Sequence, residues 1–185
     1  MTGEINKSLL IDQYLKTERV LRNFFDNYTL SVCIGHCVKT KKGPNCCEDQ
    51  DSRITEINVN LIGQDILAMR SAKYTKFSSQ GCGYLSPHGC ILKEYRSPIC
   101  NTFVCEDLEE YFDRLGPKFG SELKGIERLA VSIFKGFPDT QEENIVRLER
   151  MVSTLSQKID MLLPPNTSVW DYVTKIWRVK QVTSA

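Results

Sequence analysis

The chain has 185 residues and a mass of 21.2 kDa, which suits one ordinary domain or one domain with an appendage. Hydrophobic residues make up 41% and charged residues 25%, a balance that is typical of globular proteins and argues against disorder. The net charge is only +1. No strong field would therefore draw the chain to nucleic acid or to an anionic membrane.

The N-terminal residues predict an amphipathic helix over about residues 4–28 that covers the core. Its apolar positions recur at helical spacing: Leu10, Tyr14, Leu21, Phe24, Phe25 and Tyr28. Turn-forming residues then predict irregular structure over 31–53, a short strand over 57–61 and a short helix beginning at Asp65. Residues 75–105 are again expected to be loop, because glycine and proline recur there.

Beyond Cys105 the spacing is helical almost throughout. A first helix should end at Gly116-Pro117, a second should use Ser121 as its cap, and a third should follow a capping box of Thr140 and Glu143. A last helix is expected over about residues 168–180, with a cap from the Asn166-Thr167-Ser168 turn.

The third of these helices carries apolar residues alternately three and four positions apart, at Ile145, Leu148, Val152, Leu155, Ile159 and Leu162. Packing into a bundle and a seam for a protein partner or a second copy both explain this spacing. The run is shorter than a sustained coiled coil requires, which favours the bundle.

The unusual feature is eight cysteines. They form two groups, Cys33-x3-Cys37-x8-Cys46-Cys47 and Cys82-x7-Cys90-x9-Cys100-x4-Cys105. Such a density indicates either a disulfide framework or a metal site. The N-terminus lacks the apolar core of a secretory signal, and no stretch is apolar enough to span a membrane. We therefore expect a cytoplasmic protein whose reduced thiols hold metal.

The spacing excludes several familiar cysteine motifs. The chain has no C-x2-C pair, which argues against thioredoxin-type redox pairs and zinc knuckles, and neither ferredoxin spacing is present. Eight thiolates divide into two sites of four, or into one iron–sulfur cluster with four thiolates left over. The spacing does not decide between these divisions, nor which of Cys46 and Cys47 is a ligand.

The segment CGYLSPHGCILKEYRSPICNTFVC, residues 82–105, resembles the second half of the YkgJ-type (CxxCxxCC) family of zinc- or iron-chelating cysteine-cluster proteins. The matching positions are Cys82, Leu85, Gly89, Cys90, Arg96, Cys100, Phe103 and Cys105. The pair Cys46-Cys47 resembles the family's CC element, and Asp65-Ile66 its helix start. Cys33-x3-Cys37, Pro98 and Asn101 depart from the family pattern. The resemblance covers about residues 33–105 and implies metal chelation by the eight thiols.

Three further side chains are candidates for this site. His36 and His88 could each replace a thiolate, although eight sulfurs already suffice for two four-coordinate sites, which favours a role in hydrogen bonding to the ligands. Arg96 would either offset the negative charge of thiolate-bound metal, as the resemblance favours, or form a surface salt bridge.

We expect a mainly α-helical protein with an N-terminal helix (1–32), an irregular cysteine-rich metal-binding lobe (33–105) and a C-terminal helical bundle (106–185) packed as one unit. The leading function is binding of zinc or iron, including a [4Fe–4S] cluster, in a redox or accessory module. One alternative is a non-catalytic interaction protein with structural zinc. Another is a component of an iron–sulfur-dependent group-transfer enzyme such as a protein lysine methylase, although no catalytic motif is present.

Overall fold

The structure is a computed structural model that describes residues 6–38, 62–76, 83–86, 89–136 and 142–175. It is mainly α-helical, as predicted. The helices in these ranges are α1 (Lys7–Phe24), α2 (Leu30–Val32), α3 (Gly63–Lys73), α4 (Pro98–Thr102), α5 (Glu106–Leu115), α6 (Phe119–Gly136), α7 (Glu142–Asp160) and α8 (169–175). Two antiparallel two-residue strands, β1 (Leu85–Ser86) and β2 (Gly89–Cys90), pair with Leu85 opposite Cys90.

The N-terminal helix extends further than its sequence predicts. Asn6 caps α1 by accepting a hydrogen bond from the Leu9 amide at 3.2 Å. The backbone then stays helical through a π-helical segment at Phe25–Thr29, through α2, and through a second π-helical segment at Cys33–Val38. The prediction of irregular structure from residue 31 is therefore wrong for residues 31–38. Glycine at position 35 is tolerated in this helix because it packs directly against Trp170.

Helices α5 and α6 form a packed pair whose junction differs slightly from the prediction. Helix α5 ends before Gly116, as expected. Helix α6 begins at Phe119, so the prediction that Ser121 caps it is wrong, and the Ser121 hydroxyl instead donates back to the Lys118 carbonyl. Asp113 of α5 accepts a hydrogen bond from the Gly120 amide at 2.9 Å and so satisfies the start of α6.

Helix α7 packs against α6 and α1. Its residues Ile145, Leu148, Val152, Leu155 and Ile159 are buried in the core, which confirms the bundle interpretation of their spacing. Leu162 lies beyond the helix and is 40% exposed. The predicted capping box cannot be placed, since Thr140 lies outside the described residues.

The remaining predicted elements have mixed outcomes. The prediction of loop over 75–105 is wrong at the β1–β2 pair and at α4. Helix α3 confirms the short helix expected at Asp65. Ser168 caps α8 by accepting a hydrogen bond from the Asp171 amide at 3.1 Å, as predicted. The predicted strand over 57–61 and the end of the last helix, with Trp177, lie outside the described residues.

One core cluster runs from Leu10 to Val173 and takes residues from the N-terminal helix, from α3 and from α5–α8. Two ion pairs reinforce it at the surface: Lys16 on α1 contacts Glu142 on α7 at 2.7 Å, and Lys158 on α7 contacts Glu122 on α6 at 2.7 Å. A smaller cluster of Tyr84 and Leu92 lies within the cysteine-bearing segment. This second cluster positions the candidate site.

Candidate metal centre

Half of the predicted thiol ligands lie in the described part of the chain. Cys33, Cys90, Cys100 and Cys105 are all half-buried, and no disulfide joins any two of them. Cys46, Cys47, Cys82 and the side chain of Cys37 lie outside the described residues. The same is true of His88.

Cys90 and Cys100 share one small cluster. Both pack, together with Ile91 and Ile99, against the buried side chains of Tyr84 and Leu92. Cys90 lies on β2, and Cys100 lies in the first turn of α4. Two cysteines that are separated by nine intervening residues are thus brought to the same apolar patch.

Strand β2 also packs on the helical segment that carries Cys33. A β-carbon added at Gly89 would lie 3.1 Å from Ile34 Cδ1 and 3.3 Å from Leu30 Cδ1. Gly89 has φ +108°, a backbone conformation that residues other than glycine rarely adopt. Residues next to Cys33 and next to Cys90 are therefore in contact, so one cysteine of each sequence group lies on these two neighbouring segments.

The loop between Cys90 and Cys100 is held by a buried arginine on α3. Arg70 is 2% exposed; its Nε donates to the Tyr95 carbonyl at 2.7 Å and its guanidinium donates to Ser97 Oγ at 3.1 Å. The guanidinium also lies 5.7 Å from the centre of the Tyr84 ring. Arg70 matches no motif in the sequence, and the one signal for it is that it shares a helix face with Ile66, four residues earlier.

Arg96 is buried in the same loop, with 1% exposure. Its guanidinium donates to Asp26 Oδ1 and to the Leu92 carbonyl, both at 2.8 Å, and lies 5.3 Å from the Phe25 ring centre. The salt bridge predicted as one of its two roles is present, but it is buried on the arginine side rather than at the surface. The role of Arg96 in offsetting metal–thiolate charge stays a prediction.

Tyr14 on α1 approaches the same loop from the core. Its hydroxyl donates to the Arg96 carbonyl at 2.5 Å. Burial raises the pKa of Tyr14 well above its ordinary value of 10.0; negative charge at Glu18 raises the pKa further and Arg70 lowers it. Negative charge on Cys100 adds a smaller increase to the pKa of Tyr14.

Cys105 occupies the N-cap of α5. Its Sγ accepts a hydrogen bond from the Leu108 amide at 3.4 Å, which satisfies one of the amides at the start of the helix. Three acidic residues in the first turn, Glu106, Asp107 and Glu109, add negative charge nearby. Cys105 packs against the main core rather than against the Tyr84–Leu92 cluster.

His36 joins the Cys33–Val38 segment to the helix that Cys105 caps. Its Nε2 lies 3.3 Å from Asp107 Oδ2, and its Nδ1 lies 3.3 Å from the Tyr111 hydroxyl. The imidazole also contacts the Trp170 ring, with 6.4 Å between the ring centres. Both ring nitrogens face polar partners, and neither Asp107 nor Tyr111 is a proposed metal ligand, so the role predicted for His36 in hydrogen bonding to the ligands stays a prediction.

The donor set fits zinc or iron in type, because both metals bind thiolates. Within the described ranges, no three Cys, His, Asp or Glu side chains form a group that could hold a metal ion. A closed four-sulfur site would therefore need thiols from Cys37, Cys46, Cys47 or Cys82. Asn101, which departs from the family pattern, lies at the edge of this region with its Oδ1 3.5 Å from Arg96 Nη1.

Comparison of the chain with protein-family models, with characterised proteins and with solved structures finds no match. The resemblance to the cysteine-cluster family therefore rests on the residues quoted above and stays a prediction. Among the helices of the described ranges, none combines the length and the apolar character that crossing a membrane requires.

Proposed function

We propose that the protein binds zinc or iron through its cysteine thiolates and acts as a redox or accessory module. The observation that carries the proposal is the convergence of Cys90 and Cys100 on the Tyr84–Leu92 cluster. Half-buried thiols are screened from bulk solvent, which distinguishes them from exposed, reactive thiols, and the apolar residues around them would limit solvent access to a bound metal. Residues 33–105 would form the metal-binding lobe, packed against α5–α7.

The proposed ligands from the second cysteine group are Cys82, Cys90, Cys100 and Cys105, and those from the first are Cys33, Cys37, Cys46 and Cys47. Contact between Gly89 and Ile34 supports one surface to which both groups contribute. Bound iron, as a [4Fe–4S] cluster, would supply electron transfer, whereas bound zinc would supply structure or Lewis acidity. A reducing compartment such as the cytoplasm would keep the thiols available.

Arg96 and Arg70 would bring positive charge to this lobe. A metal with four thiolates carries net negative charge, and buried guanidinium groups near it offset part of that charge. Asp26 already neutralises part of the charge of Arg96. The electrostatic contribution of Arg96 would therefore be modest beside its part in holding the loop.

Anaerobic purification followed by metal analysis and a visible spectrum tests the proposal. Stoichiometric zinc in colourless protein supports a zinc site, and brown protein with thiolate-to-iron charge-transfer absorption supports the cluster. Cys100→Ser should lower the bound metal, whereas His36→Gln, whose nitrogens face Asp107 and Tyr111, should leave it unchanged. Metal-free protein after anaerobic reconstitution, or mass spectrometry that finds all cysteines paired as disulfides, would overturn the proposal.

A second candidate is a non-catalytic interaction protein in which zinc is structural. It is favoured by Met161 and Leu162, which are 79% and 40% exposed at the end of α7 while the rest of the Ile145–Leu162 seam is buried. A partner or a second copy could use this apolar end. Sedimentation of the wild type and of Met161→Gln distinguishes the two functions, because self-association through this end should be weakened by the substitution.

A further inference from the structure

Side chains from two other parts of the fold form hydrogen bonds with the loop between Cys90 and Cys100. From α3, Arg70 donates to the Tyr95 carbonyl and to Ser97 Oγ, and the hydroxyl of Tyr74, the residue after α3, accepts from the Lys93 amide at 3.1 Å. From α1, the Tyr14 hydroxyl donates to the Arg96 carbonyl. Every one of these bonds engages residues 93–97, which lie between the two cysteines.

Within the loop, Arg96 closes the turn on itself. Its Nε donates to the Leu92 carbonyl at 3.0 Å and its Nη2 donates to the same carbonyl at 2.8 Å. A second bond from Nη2 reaches Asp26 in the first π-helical segment. The planar guanidinium can satisfy these acceptors together, which a lysine ammonium on a flexible stem cannot do in the same geometry.

Tyr95 shows how tightly the loop is constrained. It has φ +60°, a left-handed conformation that is unfavourable for an aromatic residue. Such a conformation persists only where the surroundings fix it. Arg70 bonds the carbonyl of this residue, so the strained position is the one that α3 holds directly.

We propose that Arg70 and Arg96 are positioning residues that preform the Cys90–Cys100 arm before any metal binds. The hydrogen bonds that hold the loop are all within the protein. They fix the backbone that carries both thiols beside the Tyr84–Leu92 cluster. Metal binding then does not have to order this arm, so the affinity of the site is not reduced by that ordering. The role of the thiols rests on the proposed function, whereas the order of the loop does not.

The first test uses the full chain, stripped of metal by a chelator under anaerobic conditions. Hydrogen exchange measures the order of residues 91–97, and site-resolved alkylation measures the exposure of each thiol. The variants are Arg70→Met, Arg70→Lys and the milder Ser97→Ala, which removes one acceptor of Arg70. Arg128→Met is the matched control, because Arg128 is an exposed arginine that donates only to a carbonyl of its own helix in the described structure.

In the metal-free wild type, amides of residues 91–97 should be protected. Arg70→Met should raise the alkylation rates of Cys90 and Cys100 by roughly tenfold, since losing charged hydrogen bonds opens the loop locally. Cys33 and Cys105 should change by less than about twofold, because α3 does not hold their segments. Arg70→Lys and Ser97→Ala should each raise the alkylation rates of Cys90 and Cys100 by less than Arg70→Met does. Arg128→Met should leave these rates at the wild-type values.

The second test is a Co²⁺ titration of the same proteins. Arg70→Met should weaken Co²⁺ binding while the final absorption spectrum and stoichiometry stay those of the wild type, because a positioning residue changes the cost of assembling the site and not its ligands. Unprotected amides over 91–97 in the metal-free wild type would overturn the proposal. So would equal increases in alkylation at all four cysteines in every variant. Failure of the wild type to bind metal would instead refute the proposed function and leave the loop measurement standing.

Discussion

The indole of Trp170 occupies the space that a β-carbon on Gly35 would need. An ideal β-carbon there would lie 2.3 Å from Trp170 Cδ2 and 2.4 Å from Cε2. The Trp170 amide also donates to Ser31 Oγ at 3.4 Å. Helix α8 is thus docked on the helical turn between Cys33 and Cys37, although the two segments are far apart in the sequence.

Gly35→Ala should undock Trp170 and destabilise the protein by about 1–3 kcal/mol, the usual cost of inserting a methyl group into a filled space. Urea unfolding measures the loss of stability. In a Trp177→Phe background the fluorescence emission comes from Trp170 alone, and Gly35→Ala should shift this emission to longer wavelength. The control is Gly125→Ala in α6. A β-carbon there meets only the flexible Met151 Cε at 3.3 Å, so this change should stabilise the helix by up to about 1 kcal/mol. An unshifted Trp170 emission in Gly35→Ala would contradict the docking.

His36 and Asp107 should be energetically coupled. Their side chains are 28% and 48% exposed, so a double-mutant cycle with His36→Gln and Asp107→Asn should give a coupling of about 0.2–1 kcal/mol. Metal content should be unchanged in His36→Gln and reduced in Cys33→Ser. Loss of bound metal in His36→Gln to the level of Cys33→Ser would make the imidazole a ligand.

The helices of the second half could be predicted from the sequence because their determinants are local. Apolar residues at helical spacing mark one face of α7, and the structure buries that face. Gly35 and Ser121 misled the prediction because their roles depend on partners distant in sequence or in the preceding helix: Trp170 fills the space beside Gly35, and Asp113 supplies the acceptor at the start of α6. Local patterns carry no information on such partners.

The sequence could indicate the candidate thiols of the proposed site but not the residues that hold them in place. Cysteine spacing identified Cys90 and Cys100, but the arm that carries them is held by Arg70, whose partners are the Tyr95 carbonyl and Ser97. An arginine in a short helix is ordinarily a surface residue. Only the fold shows that this one is buried and that its guanidinium faces the loop.

Glu18→Gln should stabilise the protein relative to the wild type by an amount that grows as the pH rises above 4.5, the ordinary pKa of a glutamate. Glu18 is 1% exposed and its Oε1 has no hydrogen-bond partner among the described residues. Burial raises the pKa of Glu18 above its ordinary value of 4.5, while Arg22 and Arg96 lower it and Glu94 raises it slightly. The folded state therefore holds the proton more tightly than the unfolded state, so the wild type loses stability as pH rises from the ordinary value through the raised one.

Urea unfolding at several pH values measures this difference, which should level off once the pH exceeds the raised pKa. Glu110→Gln is the control, since the Glu110 side chain is 63% exposed and pairs with Arg114 at the surface. The free energy of unfolding of Glu110→Gln should differ little from that of the wild type at every pH tested. A Glu18→Gln difference that shrinks with rising pH would mean that the arginines outweigh burial at this carboxyl.

Tyr14→Phe should loosen the Cys90–Cys100 arm. The Tyr14 hydroxyl donates to the Arg96 carbonyl at 2.5 Å in a buried position, and phenylalanine cannot donate this hydrogen bond. The expected loss of stability is about 1–3 kcal/mol. Tyr28→Phe is the matched control: its hydroxyl donates to Asp160 Oδ1 at 2.8 Å and ties the N-terminal helix to α7. Both variants should unfold at lower urea, but only Tyr14→Phe should speed hydrogen exchange over residues 91–97. Equal exchange in the two variants would show that the loop does not depend on its bond to the core.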